Sequence, residues 1–511
     1  MKIISPSLNF ELLIAQLKGV APELFSVNNT FCNLMEGRWQ EIGSPHPFHS
    51  PVDGSYLGDL PFVNVQQAEN AVLYAKQEQV AWAETTLDYR KQAVQNALDL
   101  LRTNADLIAK LIIWEIGKTY KLAFTDIDRA IDGVQWYVEE IDQLIEDRTP
   151  IGLVSNIASW NYPMSVLLHA VLVQVLCGNA AIAKTPTDGG FISLSLAFAL
   201  CKRAGLPVSL VSGAGSDLSP ALVASQAVDC LSFVGGRYNG RNIADALASH
   251  NKRYMLEMEG VNAYGIWEFS EWDKLAAQLK SGYDYGKQRC TAYVRFVVQR
   301  KLFPKFLETY LSVVKGLTIG NPTLVDSPDQ EYANLSFGPV INKNQVEELN
   351  KLYNNALQTG ATPLYEGILD DSLFLPNQDR SSYFAPRALV NLTKQSELYF
   401  KEPFGPIDSI VLVDRIEELV GEMNISNGAL VAAIASDDEA VAKKIGREVR
   451  AFKIGINKLR SRGDKAEPFG GLGESWKGAF VGGGLLVEAV TNGAKPIKGN
   501  FGETILLPEN V

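Results

Sequence analysis

Among the chemistry-bearing side chains of this chain, Cys290 has the most suggestive surroundings. It lies in Tyr285-Gly286-Lys287-Gln288-Arg289-Cys290-Thr291, among polar and basic residues rather than inside an apolar run. Flanking cations favour the thiolate, which is the nucleophilic form of the side chain. The alternative is a small buried hydrophobe, the reading that suits Cys177, Cys201 and Cys230, each in or beside an apolar run. Glu257 follows Tyr254-Met255-Leu256 in a strand-like stretch. Acids are rarely buried without a partner or a role, so Glu257 is either half of a buried ion pair or a general base. Asn161 follows a strand-like run and precedes Pro163, where a helix pattern opens. It is either a helix N-cap or a side-chain amide donor to a developing oxyanion.

Several other signals are set aside. Gly117-Lys118-Thr119 ends like a phosphate-cradling loop, but the leading glycine of that motif falls at Ile112, and the segment sits in a helical pattern. No G-x-G-x-x-G opens a βαβ unit, and Gly213-Ala214-Gly215 lacks the third glycine. No G-x-S-x-G elbow supports a serine hydrolase. The chain has 4 histidines, only His46 and His49 close together, which is poor material for a zinc site, so no metal is expected. A net charge of −11 argues against nucleic acid or an anionic membrane surface as the partner. No run of about eighteen apolar residues predicts a membrane span. The 5 cysteines, without a C-x-x-C, point to reduced thiols and a cytoplasmic location, and the amino terminus reads as neither a signal nor a transit peptide.

The elements that must carry these residues are legible from periodicity. With 511 residues there is room for two to four domains. Residues 64–145 carry apolar residues at spacings of three and four, which predicts helices. From residue 151 the grammar changes. Strand-length apolar runs at 151–158, 179–184, 208–212 and 230–236 alternate with helical stretches, the pattern of βαβ units in a parallel sheet. A second α/β pattern follows residue 260, with strands expected at 293–299, 409–413 and 430–436 and a turn-rich excursion at 366–384.

In this order, the segments resemble the NAD(P)-dependent aldehyde dehydrogenase superfamily. The similarity rests on Trp160-Asn161-Tyr162-Pro163, Gly178-Asn179 with Lys184, Phe233-Val234-Gly235-Gly236, Leu256-Glu257-Met258-Glu259-Gly260, Gly286-Lys287-Gln288-Arg289-Cys290, Lys401-Glu402-Pro403-Phe404-Gly405-Pro406 and Pro468-Phe469-Gly470-Gly471. It spans roughly residues 40 to 495. The resemblance implies an α/β fold of two Rossmann-like α/β domains plus a small β oligomerisation extension. It implies a dinucleotide-binding domain at 1–127 and 151–259, a catalytic thiol domain at 260–465, and an extension at 128–150 and 488–505. The resemblance implies that this extension pairs with a neighbour's sheet, so a homodimer or homotetramer is expected, and an edge strand such as Glu503-Thr504-Ile505-Leu506-Leu507-Pro508 needs such a partner.

By the same resemblance Cys290 attacks an aldehyde, Asn161 and the Cys290 backbone N–H hold the oxyanion, and Glu257 activates the water that hydrolyses the thioester. NAD or NADP is the implied cofactor. Lys184 is similar to the lysine that binds the adenosine ribose, Glu402 to the acid that grips the nicotinamide ribose, and Phe404 to the aromatic beside it. Gly235 and Gly236 bring the pyrophosphate to a helix N-terminus, and Ile157 and Trp160 line the crevice.

The chain departs from the family pattern in three places. Glu259 stands where a glycine is usual, and as a strand neighbour two residues from Glu257 it is expected to share that residue's face. Gly236 replaces a frequent serine. Thr187 stands where NAD-preferring relatives often carry an acid, which leaves NADP allowed. The cations of Lys458, Arg460, Arg462 and Lys465, and His169 on the helix after Asn161, suggest an anionic semialdehyde; a solvated charged loop is the alternative for the former. Two rival functions stand beside oxidation: a catalytically silent dinucleotide-binding member, prompted by Glu259, and a cofactor-independent thiol esterase working through Cys290.

Overall fold

Strands buried on both faces are dominated by apolar residues, and such segments build the two sheets that carry the chemistry. The computed structural model describes residues 5–6, 8–325, 330–426, 429–461 and 465–496. The chain divides into two compact units, one built from 6–256 with 478–496, the other from 257–477, and the division falls inside a strand, Arg253–Met258.

In the first unit the strands are β1 (Asn33–Met35), β2 (Arg38–Gln40), β3 (Leu153–Ile157), β4 (Ala180–Lys184), β5 (Val208–Val211), β6 (Cys230–Gly235) and β7 (Arg253–Met258). They lie in the order β7-β6-β3-β4-β5-β1-β2. The pairings β6–β3, β3–β4 and β4–β5 are parallel, and β1 is antiparallel to both neighbours. The expected helices of 64–145 form as α1 (Val65–Ala83), α2 (Leu87–Thr103), α3 (Ala105–Ile116) and α4 (Tyr120–Leu144). Alanines at 68, 71 and 75 with Val72 let α1 lie close on the sheet against Leu153, Ala180 and Ile182. Helix α4 runs without a break through residues 127 and 128. Beyond it, Arg148–Pro150 pairs antiparallel with Thr491–Gly493 in a two-stranded ribbon. Residues 497–505 of the expected extension, and the strand expected at 503–508, lie outside the described residues.

Two buried polar devices lock this sheet to its helices. Asn156 on β3 and Gln174 on α5 (His169–Leu176) exchange reciprocal amide hydrogen bonds, each 2.8 Å, so neither carboxamide is left unsatisfied. The fully buried Glu115 accepts the first backbone N–H groups of α6 (Phe191–Arg203), Ile192 at 2.6 Å and Ser193 at 2.9 Å. A carboxylate there meets orphan donors and the positive end of the helix dipole.

The main sheet of the second unit has seven strands, β8 (Asn262–Ile266), β9 (Tyr293–Gln299), β10 (Thr362–Glu366), β11 (Arg387–Val390), β12 (Ile407–Val413), β13 (Val431–Ala435) and β14 (Lys453–Ile456), in the order β10-β11-β12-β9-β8-β13-β14. Only β10 runs antiparallel to its neighbour. One face packs on the helices Ile416–Met423 and Glu439–Glu448 through Val297, Leu419, Met423 and Ile445. Phe296 on the central strand meets Phe306 and Tyr310 of the helix Phe303–Lys315. Cys290 therefore stands immediately before a central strand of this sheet.

Candidate active site

Cys290 is reached through an unusual backbone. Tyr285, Gly286 and Lys287 take successive φ values of 58°, 59° and 60°. Left-handed backbone costs a side-chain-bearing residue free energy, so such a run persists only where its surroundings hold it. At Gly286 an added Cβ would also stand 3.1 Å from the Phe337 ring. The holding group is Lys287. Its fully buried Nζ donates to Asp408 Oδ1 at 2.6 Å and to the Tyr293 carbonyl at 2.7 Å. Asp408 accepts further bonds from the Tyr283 and Tyr310 hydroxyls, at 2.6 and 2.8 Å. Burial lowers the Lys287 pKa, and Asp408 opposes that shift. Gln288 completes the frame, donating to the Tyr285 and Pro339 carbonyls and accepting the Ile341 N–H.

The two cations that flank the thiol in sequence also have structural partners. Lys287 is committed to Asp408, and Arg289 donates to the carbonyls of Ser281 and Gly282. Both residues thereby form part of the scaffold of the loop that carries the thiol. Cys290 nevertheless differs from the other thiols: it is partly exposed, while Cys32, Cys177, Cys201 and Cys230 are buried.

Glu257 sits near the end of β7 and is 1% exposed. The strand ends at Met258, one residue before Glu259. Glu259 is partly exposed, and its carbonyl accepts the Ser475 hydroxyl at 3.2 Å. One residue on, the Gly260 N–H donates to Glu402 Oε2 at 3.1 Å, so the buried Glu402 is tied to the segment that follows Glu257. Phe404 has φ 49°, and Gln345 Nε2 pins the carbonyls of Pro403 and Phe404.

In the other unit, strand register gathers the expected cofactor residues. Ile157 is the partner of Lys184 on one side and of Phe233 on the other, so three adjacent parallel strands end together. Ligands of open α/β sheets bind at such carboxyl ends. Lys184 is 4% exposed, with Nζ bonded to the Thr185 carbonyl at 2.8 Å and to Thr187 Oγ1 at 3.3 Å. Burial pulls its pKa down to about 8, against an opposing pull from Asp188. Gly235 ends β6 directly over Phe233, whose ring would lie 2.7 Å from an added Cβ. Gly236 begins α7 (Arg237–Leu247) without a side-chain cap, the arrangement that offers backbone N–H groups to an anion. Trp160 is partly exposed just beyond β3.

Asn161 is 5% exposed and is not a helix N-cap. The helical segment after it begins as a π-helix at Pro163–Leu168 with Tyr162 at the cap position. The Asn161 Oδ1 instead accepts the Ser159 hydroxyl at 2.6 Å. His169 packs edge-on against Tyr137, ring centroids 5.7 Å apart.

The family model for the aldehyde dehydrogenase family matches residues 39–492, nearly the whole chain. The chain belongs to the aldehyde dehydrogenase family. A NADP-dependent glyceraldehyde-3-phosphate dehydrogenase of Streptococcus equinus is 27% identical over 483 residues, covering 90% of this chain and 96% of the relative. An alpha-ketoglutaric semialdehyde dehydrogenase of Bacillus subtilis is 26% identical over 468 residues, covering 88% and 93%. Among solved structures, the NADP-dependent glyceraldehyde-3-phosphate dehydrogenase of Bacillus halodurans, complexed with NADP, has a TM-score of 0.81 at 25% identity, covering 91% of this chain and 98% of that one. The fold expected from the sequence is thus the fold observed.

The charged segment of this aldehyde dehydrogenase is less cationic than its sequence. Arg460 Nη2 donates to both carboxylate oxygens of Glu467, at 2.9 and 2.7 Å, and Glu467 also binds the buried Lys453 at 2.9 Å. Arg460 is therefore neither solvated nor an uncompensated charge. Residues 462–464 lie outside the described residues. Sequence reasoning missed Asn262, Asp408 and Ser159. Asn262 and Asp408 are polar residues in strand patterns, at positions where burial demands a partner, and that was the available signal.

Proposed function

We propose that this enzyme oxidises an aldehyde to its carboxylic acid through a covalent intermediate on Cys290. The observation that carries the reading is the contrast among its thiols. Burial pushes the Cys177, Cys201 and Cys230 thiols up to about 12 and Cys32 to about 11, while Cys290 is partly exposed at the end of a rigidly held loop. Its sulfur attacks the carbonyl carbon, forming a C–S bond and an oxyanion. Donors for that oxygen are the Asn161 side-chain amide and the Cys290 backbone N–H. Loss of hydride from the same carbon leaves a thioester on Cys290. Glu257 takes a proton from water, the hydroxide adds to the thioester, and the C–S bond breaks to release the acid and the thiol.

NAD or NADP, when bound, supplies the acceptor for the hydride. Features of this chain fit it: the uncapped helix start at Gly236, the close backbone at Gly235, and Lys184 in register with Ile157. Lys184 holds the adenosine ribose, Glu402 the nicotinamide ribose, and Phe404, Trp160 and Ile157 line the crevice. The preferred aldehyde is an anionic semialdehyde. Relatives are named for phosphorylated or carboxylated aldehydes. The ribbon of Arg148–Pro150 and Thr491–Gly493 consists of edge strands, which supports a homodimer or homotetramer. Five free cysteines suit a reducing cytoplasm.

The test follows reduced-nicotinamide absorbance with NAD and, separately, NADP against neutral, cationic and anionic aldehydes. The reading expects a signal that is strongest with anionic aldehydes and vanishes in Cys290→Ser. Turnover that survives in Cys290→Ser overturns it. Ester hydrolysis without any dehydrogenase activity would replace it with the esterase.

A further inference from the structure

A carboxamide can donate a hydrogen bond only from its nitrogen end, and a half-turn about its last torsion exchanges that end with the acceptor oxygen. If Asn161 is the oxyanion donor, as proposed above, something must decide which end is presented. The structure assigns that task to Ser159. Its hydroxyl donates to Asn161 Oδ1 at 2.6 Å, two residues along the same turn. That bond fixes Oδ1 as the acceptor end and turns Nδ2 to the opposite side of the side chain. Asn161 is 5% exposed, so few water molecules compete for the same atoms.

The turn carrying both residues is also held from a second side. Lys118 Nζ lies 3.9 Å from the centroid of the Tyr162 ring and 3.2 Å from Asp126 Oδ2. Both charged side chains are fully buried. Asp126 Oδ1 accepts the backbone N–H of Ser165 at 2.9 Å and the Ser165 hydroxyl as well. Residues 162–165 are thereby clamped to α4 and the turn before it, immediately after Asn161. The lysine that mimics a phosphate loop in the sequence is a buried strut under this turn. Ser159 is accordingly a positioning residue: it acts on the reaction through Asn161.

The experiment is a double-mutant cycle with Ser159→Ala, Ser159→Thr, Asn161→Ala and Ser159→Ala/Asn161→Ala. It follows kcat, KM for the aldehyde and dinucleotide Kd, with thermal unfolding as a control on folding. Losing one neutral hydrogen bond that orients the donor should lower kcat about three- to tenfold in Ser159→Ala. KM and dinucleotide Kd should stay the same, and Ser159→Thr, which keeps the hydroxyl, should recover the rate. In the Asn161→Ala background, Ser159→Ala should cost nothing further. A merely structural role would lower the two backgrounds alike, and that result overturns the inference. So does an unchanged kcat in Ser159→Ala beside a crippled Asn161→Ala. Full activity in Asn161→Ala would instead bring down the oxyanion reading itself, and the role of Ser159 with it.

Discussion

Asn262 donates from Nδ2 to the carbonyl oxygen of Cys290 at 2.7 Å. The same nitrogen donates to the Ala292 carbonyl at 3.0 Å, and Oδ1 accepts the Val431 N–H at 3.2 Å. One fully buried carboxamide thus joins the starts of β8, β9 and β13 beside the thiol. Asn262→Ala would orphan three backbone groups, and the expected loss is about 3 kcal/mol of unfolding free energy. The same variant should slow alkylation of Cys290 by iodoacetamide. Denaturant titration and mass mapping of the alkylated cysteine check the two effects together. A destabilised protein with an unchanged alkylation rate would show that the pin supports the sheet and does not position the sulfur.

Glu257→Gln separates the two halves of the reaction. The thiol remains, so hydride loss to the thioester proceeds once per site, but the hydrolytic base is gone. Rapid-mixing absorbance should show a single-turnover burst of reduced nicotinamide, followed by a steady rate lowered about 10²- to 10⁴-fold. A steady rate equal to that of the parent enzyme would remove Glu257 from the mechanism.

What the sequence could and could not reveal follows from distance along the chain. Tyr293–Gln299 is read directly from its residues, because five of the seven are β-branched or aromatic and only Arg295 interrupts them before Gln299. Asn161, Glu257 and Cys290 stand out because their residue types are odd for their local patterns. The pairing of Lys287 was not legible for the opposite reason. This lysine sits three residues from Cys290, but its partner Asp408 is 121 residues away, and only the folded sheet brings them together. The π-helical start at Pro163–Leu168 leaves no mark in the periodicity, so a helix N-cap stayed open as the alternative reading of Asn161. Glu259 lies just past an element boundary, where period-two alternation no longer indicates which way a side chain faces.

Asp408→Asn tests the scaffold behind the left-handed run. It leaves Lys287 buried without its counter-charge while keeping the shape of the site. Breaking a buried pair from one side typically costs about 3–5 kcal/mol. The unfolding midpoint should fall accordingly, and activity at temperatures well below it should fall too, because Tyr285–Lys287 would relax from their left-handed backbone. The double variant Lys287→Met/Asp408→Asn should recover part of the stability, since no uncompensated charge remains. Equal stability of the single and double variants would contradict this account.

Glu115 gives the fold a pH dependence of predictable sign. Burial raises its pKa from 4.5 to about 7, against the opposing bonds from the start of α6. A carboxyl whose folded pKa lies above its unfolded one favours folding in its protonated form. Its contribution is therefore complete below about 4.5 and is lost as pH rises through about 7. Unfolding free energy measured by denaturant titration should contain a component that declines across that window. In Glu115→Gln, which cannot ionise, that component should be missing whatever the absolute stability of the variant. The comparison is one of slopes, so the hydrogen bonds that glutamine fails to make shift the whole curve without changing the answer. Identical slopes in parent and variant would mean that Glu115 keeps its ordinary ionisation, with the two backbone N–H donors outweighing burial.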